Sequence, residues 1–473
     1  MSFSRMLTAG SVVGVILSSP TLATAQAAIE QVFSQMEQGG ATVAFSDKVE
    51  AGRAIEWRDL QITGPDGEVE VVTAWIKETD LGNGASDITF APSAEIAFFE
   101  DGAEIGRAEL TSSDLEYRIE QQSDGFTHSY SADEVALTRL SGEVLTALNV
   151  AFLEMSGEYT VKNSNITSVA GGLDAGSMRI SYEIADEDFA SGVDYVIDTV
   201  GIAYGFDGPT QNIEEIESLD NLATNVSMTM QSMSGASNFG EGAQQADITF
   251  TSGAGATDFT LAEGRFDLVQ ASQDFNYVIT LAGLGFPPFD VKMSSMVSNM
   301  GMPLSVSAGP SDGYLDMRMN DLEVSETLWS IFDPEAGIPR DPATLVIDVT
   351  SEVEWTEEPF EASAEAPPIQ INSATINQIT LDVGGAKLNA TGDAVFNNDG
   401  PFPMPVGAVN VMVDGALALM DNLVNIGVMT PDMAFPARTM LGVFAKPVGD
   451  DAFESLLEFG EDGSISANGQ RIR

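Results

Sequence analysis

Apolar and polar residues alternate with a period of two through most of this chain, and no other feature narrows its possible folds so far. From Thr42 to about Gly208 the pattern returns in short runs, VEVVTAWIKET, AEIAFFEDG, LEYRIEQ and MRISYEIA, separated by Gly, Asp and Asn clusters. Such runs send successive side chains to opposite faces of a strand, and the punctuation between them turns the chain back. The pattern predicts mainly β structure with some α: large antiparallel sheets in meander order, with a few covering helices. The 45 glycines suit tight connections. Asp-Ile-Thr-Phe occurs at Asp87 and again at Asp247, which hints at two similar halves.

Turn chemistry and periodicity agree best in the last third. In ATINQITLDVGGAKLNATGDAVF, Ile379, Leu381 and Val383 alternate with polar residues, Gly384-Gly385 turns the chain, and Leu388, Ala390 and Ala394 resume the alternation. That is a β-hairpin with one buried face. After Pro405 the spacing becomes helical at Met412, Ala416, Leu419, Met420 and Leu423, with Gly427 to close the helix. The expectation is a helix laid on the apolar face of the hairpin. At the other end, Ala27 to Gln38 reads as a short amphipathic helix with Ile29, Val32, Phe33 and Met36 on one side, a lid for the first sheet.

The first 25 residues have the form of an export signal: Arg5 in a short head, an apolar run from Met6 to Leu17, and Ala23-Thr24-Ala25 in the small-x-small cleavage pattern. This predicts export to the periplasm and a mature chain starting near Gln26. No later window resembles a membrane-spanning helix. Cysteine is absent, so stability must come from packing. The expected division is 1–25 signal peptide, 26–208 N-terminal β-rich region, 209–255 loop-rich connection, 256–356 second β-rich region, 357–368 linker, and 369–473 C-terminal hairpin-plus-helix unit. Within these, TQNIEEIESLDNLATN is expected to be helical, NFGEGAQQA a loop and Ser294 to Met300 a short helix. Methionine is frequent near both boundaries, at Met228, Met230, Met233, Met293, Met296, Met300 and Met302, as filling of an irregular core or as an adaptable apolar surface.

Charge excludes whole classes of partner. With 72 acidic against 19 basic residues the formal net charge is −53, which repels nucleic acid and acidic headgroups. Catalytic patterns fail as well. The single histidine, His128, alternates with Phe126 and Tyr130 as an ordinary strand position and cannot build a two-histidine zinc site. Gly309-Pro310-Ser311-Asp312-Gly313 has the letters of a nucleophile elbow, but a strand-like YLDMRM follows it instead of a helix. Asn397-Asn398-Asp399-Gly400 reads as a turn, since Val395 stands where a calcium loop needs an oxygen ligand. No catalytic residue, metal ligand or cofactor is therefore assigned.

One resemblance can be placed on particular words. WSIFDPEAGIPRDPATLVIDV from Trp329 to Val349, ATINQITLDVGGAKLNATG, PVGAVNV and the closing EDGSISANGQRI resemble the DUF2125 family of uncharacterised bacterial envelope proteins. The resemblance implies location and architecture without a reaction. More remotely, the style is similar to AsmA-like periplasmic proteins, which would connect it with envelope lipids. In the same stretch, Asp333-Pro334, Pro339 and Asp341-Pro342 stop a short helix, Trp329 reads as a core anchor, and Arg340 can pair with a carboxylate.

The functional expectation is a non-enzymatic exported protein that binds an apolar envelope component, such as a lipid, or a partner protein. The alternatives are a structural or assembly protein without a small ligand and a carboxylate-dependent hydrolase. A long apolar-lined concave sheet favours binding, a filled sandwich favours assembly, and two close carboxylates in a polar cleft favour hydrolysis. The apolar excess from Val411 to Ala445 nominates Met412, Leu419, Met420, Leu423, Met433 and Met440 as ligand-lining residues, with Arg438 and Lys446 for an anionic head.

Overall fold

The computed structural model describes residues 28–472 apart from 39, 101, 142–144, 164–165, 186–189, 210–219, 221, 242–243, 284, 358–367, 399 and 401–402. The expected signal peptide, residues 210–219 and 221 of the helix expected over TQNIEEIESLDNLATN and nearly all of the expected 357–368 linker lie outside the described residues, and the last three residues of that expected helix, Ala223 to Asn225, are in a strand. The chain divides into two compact units, residues 1–217 with 222–247, and residues 218–221 with 248–473.

The first unit opens with helix α1 (Ala28–Gln38) and continues through strands β1 (Thr42–Ala44), β2 (Asp47–Ala51), β3 (Ala54–Thr63), β4 (Val69–Gly82), β5 (Ala85–Phe90), β6 (Ser93–Glu100) and β7 (Ala103–Ser113). Then come β8 (Glu116–Gln121), β9 (Gly125–Ser141), β10 (Leu145–Asn163), β11 (Ile166–Ala185), β12 (Ala190–Pro209), β13 (Ala223–Met230) and β14 (Ser232–Glu241). Next-neighbour strands run antiparallel, as a meander requires. At 19 or 20 residues, β10, β11 and β12 are several times the usual strand length of roughly 5–6.

Strand β15 (Gln244–Ser252) leads into the second unit, which holds β16 (Gly255–Ala262), β17 (Arg265–Ala282), β18 (Phe289–Pro303), β19 (Ser311–Val324), helix α2 (Glu326–Phe332), β20 (Ala343–Trp355), β21 (Ile369–Val383) and β22 (Ala386–Asn397). It closes with β23 (Met404–Asp414), α3 (Ala416–Asn425), α4 (Pro431–Phe444), β24 (Lys446–Pro447), β25 (Ala452–Phe459), β26 (Ile465–Ala467) and β27 (Gln470–Arg471). The mainly β, antiparallel reading holds. Among the described residues no helix is long and apolar enough to cross a membrane, a statement that does not bear on strands.

The predicted hairpin is present as β21 and β22, with Val383 opposite Ala386. Gly384 and Gly385 take φ of 59° and 80°, the two left-handed residues a tight type I′ turn needs. Its helix behaves differently. Met412 belongs to β23, and α3 starts only at Ala416, beside the hairpin turn. A Cβ on Gly384 would stand 3.1 Å from Leu419 Cδ1 and 3.2 Å from Ile338 Cγ2. Helix α3 has no capping side chain of its own, because Gly415 precedes it. Asp451 supplies the cap from the far side of α4, accepting from Leu417 N at 3.0 Å and Ala418 N at 2.9 Å.

Three local expectations are corrected. The 209–255 connection carries strands β13, β14 and β15 where loop was expected, Asn238 to Glu241 and Gln244 to Ala246 of NFGEGAQQA included. Ser294 to Met300 lies inside strand β18, not in a helix. Trp329 is half-buried instead of a core anchor: Arg340 lies 5.6 Å over its ring. Arg340 also pairs with Glu326 and donates to Asp333 O at 2.7 Å.

Candidate functional site

A left-handed residue sits in the middle of strand after strand. Asp59 in β3 has φ of 48°, Glu154 in β10 52°, Thr199 in β12 51°, Asp274 in β17 54° and Asp321 in β19 55°. For non-glycine residues inside strands this conformation is uncommon and costs about 1–2 kcal/mol each, so neighbouring groups must hold it. On the adjacent strand, or at the break between two strands, each kink faces a serine, a glycine or a side-chain acceptor. Ser46 Oγ donates to Asp59 Oδ2 at 2.6 Å, Ser294 Oγ to Asp321 Oδ2 at 2.7 Å, and Thr199 Oγ1 to Gln231 Oε1 at 3.1 Å. A Cβ on Gly176 would stand 2.8 Å from Glu154 Oε2, and one on Gly253 3.1 Å from Asp274 Oδ2.

These kinks form lines across the sheets. The register of β9 to β12 places Asp133, Glu154, Gly176 and Thr199 side by side, and Gln231 follows where β13 breaks into β14. In the second unit Gly253, Asp274, Ser294 and Asp321 fall on one line in the same way. The register on the two sides of each kink is unchanged, yet the face presented shifts by one residue. Trp57 and Leu60, three positions apart across Asp59, share one buried cluster. Ile197 and Val200, across Thr199, share another with Ala175, Met178, Met230 and Met233. Strict alternation would put each pair on opposite faces. In the first unit each line is therefore a crease, with apolar residues of both limbs meeting inside; the line of the second unit carries the same left-handed residues.

This explains the misread stretch in β18. Met293 and Met296, three apart across Ser294, share a face because Ser294 lies between the kinks at Asp274 and Asp321, and an interval of three looks helical. Register places Met293 beside Phe275, Met296 beside Met319, Met300 beside Leu315 and Met302 beside Phe266. Together with Met228, Met230 and Met233, all seven methionines noted in the sequence thus lie on the creased, apolar face of their sheets. The opposite face carries polar pairs: Arg318 bonds Asp316 at 2.8 Å, and Asn377 bonds Asp348 at 2.9 Å.

In the first unit, α1 fills the fold between the limbs of β3 to β9. Ile29, Val32, Phe33 and Met36 pack on Trp57, Ile62, Ile76 and Tyr117, with Phe33 edge-on to Trp57 at 5.6 Å. Buried Glu78 anchors the helix start, accepting from Ala28 N at 3.0 Å, Ile29 N at 3.1 Å and Ser86 Oγ at 2.7 Å. Next along the same face, Tyr117 OH lies 2.9 Å from His128 Nδ1 and 2.6 Å from Tyr159 OH, and His128 stacks on Tyr159 at 4.4 Å. Burial holds the imidazole down to about 4 and pushes Tyr130 up to about 12. His128 is thus a neutral wall residue, in keeping with its place between Phe126 and Tyr130.

Beyond β9 the lining changes. The buried cluster of β10 to β14 is made of strand residues alone, and Val150, Ile180, Tyr195 and Tyr204 on the same face stay half-buried. In the second unit, Met296, Met300, Met317, Met319, Leu345 and Ile347 are likewise half-buried. Apolar side chains at that exposure form a partly exposed apolar wall.

The residues nominated from sequence are not gathered into one pocket. Met412 projects from the polar face of β23, opposite Asn389 and Glu454. Leu419, Met420 and Leu423 lie half-buried on α3, whereas Met433 and Met440 are 62% and 59% exposed on α4. Arg438 pairs with Asp421, and Lys446 is an exposed β24 residue opposite Glu454. Spacing alone missed the crease-lining residues; the signal available was a recurring interval of three between apolar residues within otherwise alternating runs. Ser311 lies in a strand and bonds Ala308 O at 3.1 Å, so no nucleophile elbow forms. Among the described residues no group of three or more His, Cys, Asp or Glu is placed to hold a metal ion.

A family model described as an uncharacterised protein conserved in bacteria, DUF2125, matches residues 205–461, more than half of the chain. The chain belongs to this family. The DUF2125 span takes in the crease from Gly253 to Asp321, the hairpin and helices α2 to α4. No curated protein and no solved structure matches the chain.

Proposed function

We propose that this DUF2125 protein is exported to the bacterial envelope and there binds an elongated apolar molecule, acyl chains foremost, along the creased face of its sheets. The observation that carries the reading is the half-exposed apolar wall on one face of β10 to β14 and of β17 to β20. Methionine supports it further, since an unbranched thioether adapts to chains of differing shape. The leader-like stretch ending at Ala25 supports export. Binding, not hydrolysis, fits a face whose one histidine is buried and neutral.

The test is native mass spectrometry of protein gently purified from envelope material. Bound lipid is expected, and it should be lost in Met296→Glu/Met300→Glu, which puts two carboxylates on the wall, while circular dichroism stays native. Protein that arrives ligand-free and also ignores apolar fluorescent probes would overturn the reading. Intact mass of the same sample should correspond to a chain beginning at or near Gln26; retention of residues 1–25 would remove the export claim.

A further inference from the structure

The chain is so rich in carboxylates that its arginines find them readily: Arg58, Arg107, Arg118, Arg265, Arg318 and Arg340 each meet one within 4 Å. Arg139 is different. It follows Val135 and Leu137 along β9 at a spacing of two, so it shares their face, and it stands opposite buried Ala108 of β7. Leu137 packs against the cluster that surrounds α1, which puts Arg139 on the apolar face, next toward the end of its strand. Its Nε is buried without a hydrogen-bond partner, and no described carboxylate pairs with it.

The Nε–H of Arg139 lies against an apolar wall without an acceptor, so that donor has given up water and gained no protein partner. Burial also works against its charge. A planar fork of donors matches carboxylate and phosphate geometry, and the aliphatic stem lies along apolar surface while the head stays accessible. The net charge of −53 repels anions at long range. That repulsion is screened over about 8 Å at physiological ionic strength, so a local donor decides capture at the wall. Resting on the lipid-binding reading above, we propose that Arg139 is the headgroup site of that face and selects apolar ligands that end in a carboxylate or phosphate.

The experiment measures binding of three probes to the full protein: oleate, phosphatidylglycerol and the uncharged monoolein. Wild type should prefer at least one of the two anionic probes over monoolein. Arg139→Gln should weaken the preferred anionic probe roughly tenfold or more, the scale of a lost hydrogen bond to a charged group. Monoolein should be unaffected, and Arg139→Lys should recover part of the loss. Loss with oleate alone assigns a carboxylate, and loss with phosphatidylglycerol assigns a phosphate. Equal weakening of all three probes, or none, would overturn the headgroup site while leaving the apolar wall in place. Failure of wild type to bind any probe would sink both readings. Matching denaturation midpoints of the variants exclude misfolding as the cause.

Discussion

Ser294 Oγ donates to Asp321 Oδ2 at 2.7 Å and also reaches Asn320 O at 3.2 Å. The pair repeats in the first unit, where Ser46 reaches Asp59 Oδ2 at 2.6 Å and Arg58 O at 3.3 Å. In both, a hydroxyl of the neighbouring segment ties down the side chain of a left-handed residue and the carbonyl before it. A conformation unfavourable by itself is thereby made the local minimum, and the sheet bends there.

Asp321 separates the backbone from the hydrogen bond. Asp321→Gly keeps the positive φ at no steric cost and loses only the exposed bond, for a change of about 1 kcal/mol or less. Asp321→Val adds a branched side chain in the left-handed region and should cost about 2–3 kcal/mol. Urea denaturation measures both. Equal losses would mean that the kink itself carries no strain.

Glu78 holds α1 in the crease. Glu78→Ala leaves two helix N–H groups and the Ser86 hydroxyl without their acceptor in a buried setting, and should cost roughly 2–4 kcal/mol. Because Trp57 lies under the helix, its fluorescence should shift to the red and apolar dye binding should rise. An unchanged emission spectrum would show that the helix stays seated without its anchor.

His128 gives stability a pH dependence of definite sign. Its folded value near 4 lies below the roughly 6.5 of an exposed imidazole. Above the unfolded value both states are neutral. As pH falls through the window from 6.5 to 4, the unfolded chain takes up the proton first and the fold loses stability, by about 2 kcal/mol at pH 5. The wild type should therefore lose that much more than His128→Phe between pH 7 and pH 5. Parallel pH profiles for the two proteins would contradict a buried neutral ring.

Salt should stabilise the protein. Carboxylates at a net charge of −53 repel one another, and raising sodium chloride toward 0.5 M shortens the range of that repulsion. The melting temperature is expected to climb by several degrees, roughly the effect of 1–2 kcal/mol. A melting temperature indifferent to sodium chloride but raised by micromolar calcium would replace screening with specific cation sites.

Much of the local structure was legible because it rests on short-range chemistry. Period-two runs made strands, and Gly384-Gly385 made the hairpin turn because glycine takes positive φ freely. Ile29, Val32, Phe33 and Met36 marked the buried side of α1 because their spacing is helical. Which residues form the wall was a tertiary decision. Asp59, Glu154, Thr199, Asp274 and Asp321 share no residue type that demands a left-handed backbone; each takes it because the neighbouring strand offers a hydroxyl, an amide oxygen or a glycine's open space. That one-residue slip of phase puts Met293 on the face of Met296 and, in another strand, Ile197 on the face of Val200, and period alone reads it as helix or loop. The nominated C-terminal set scattered for the same reason. Apolar spacing fixes only which side chains of one element lie together, whereas the partner of that face is set by strand register and by where the sheet folds.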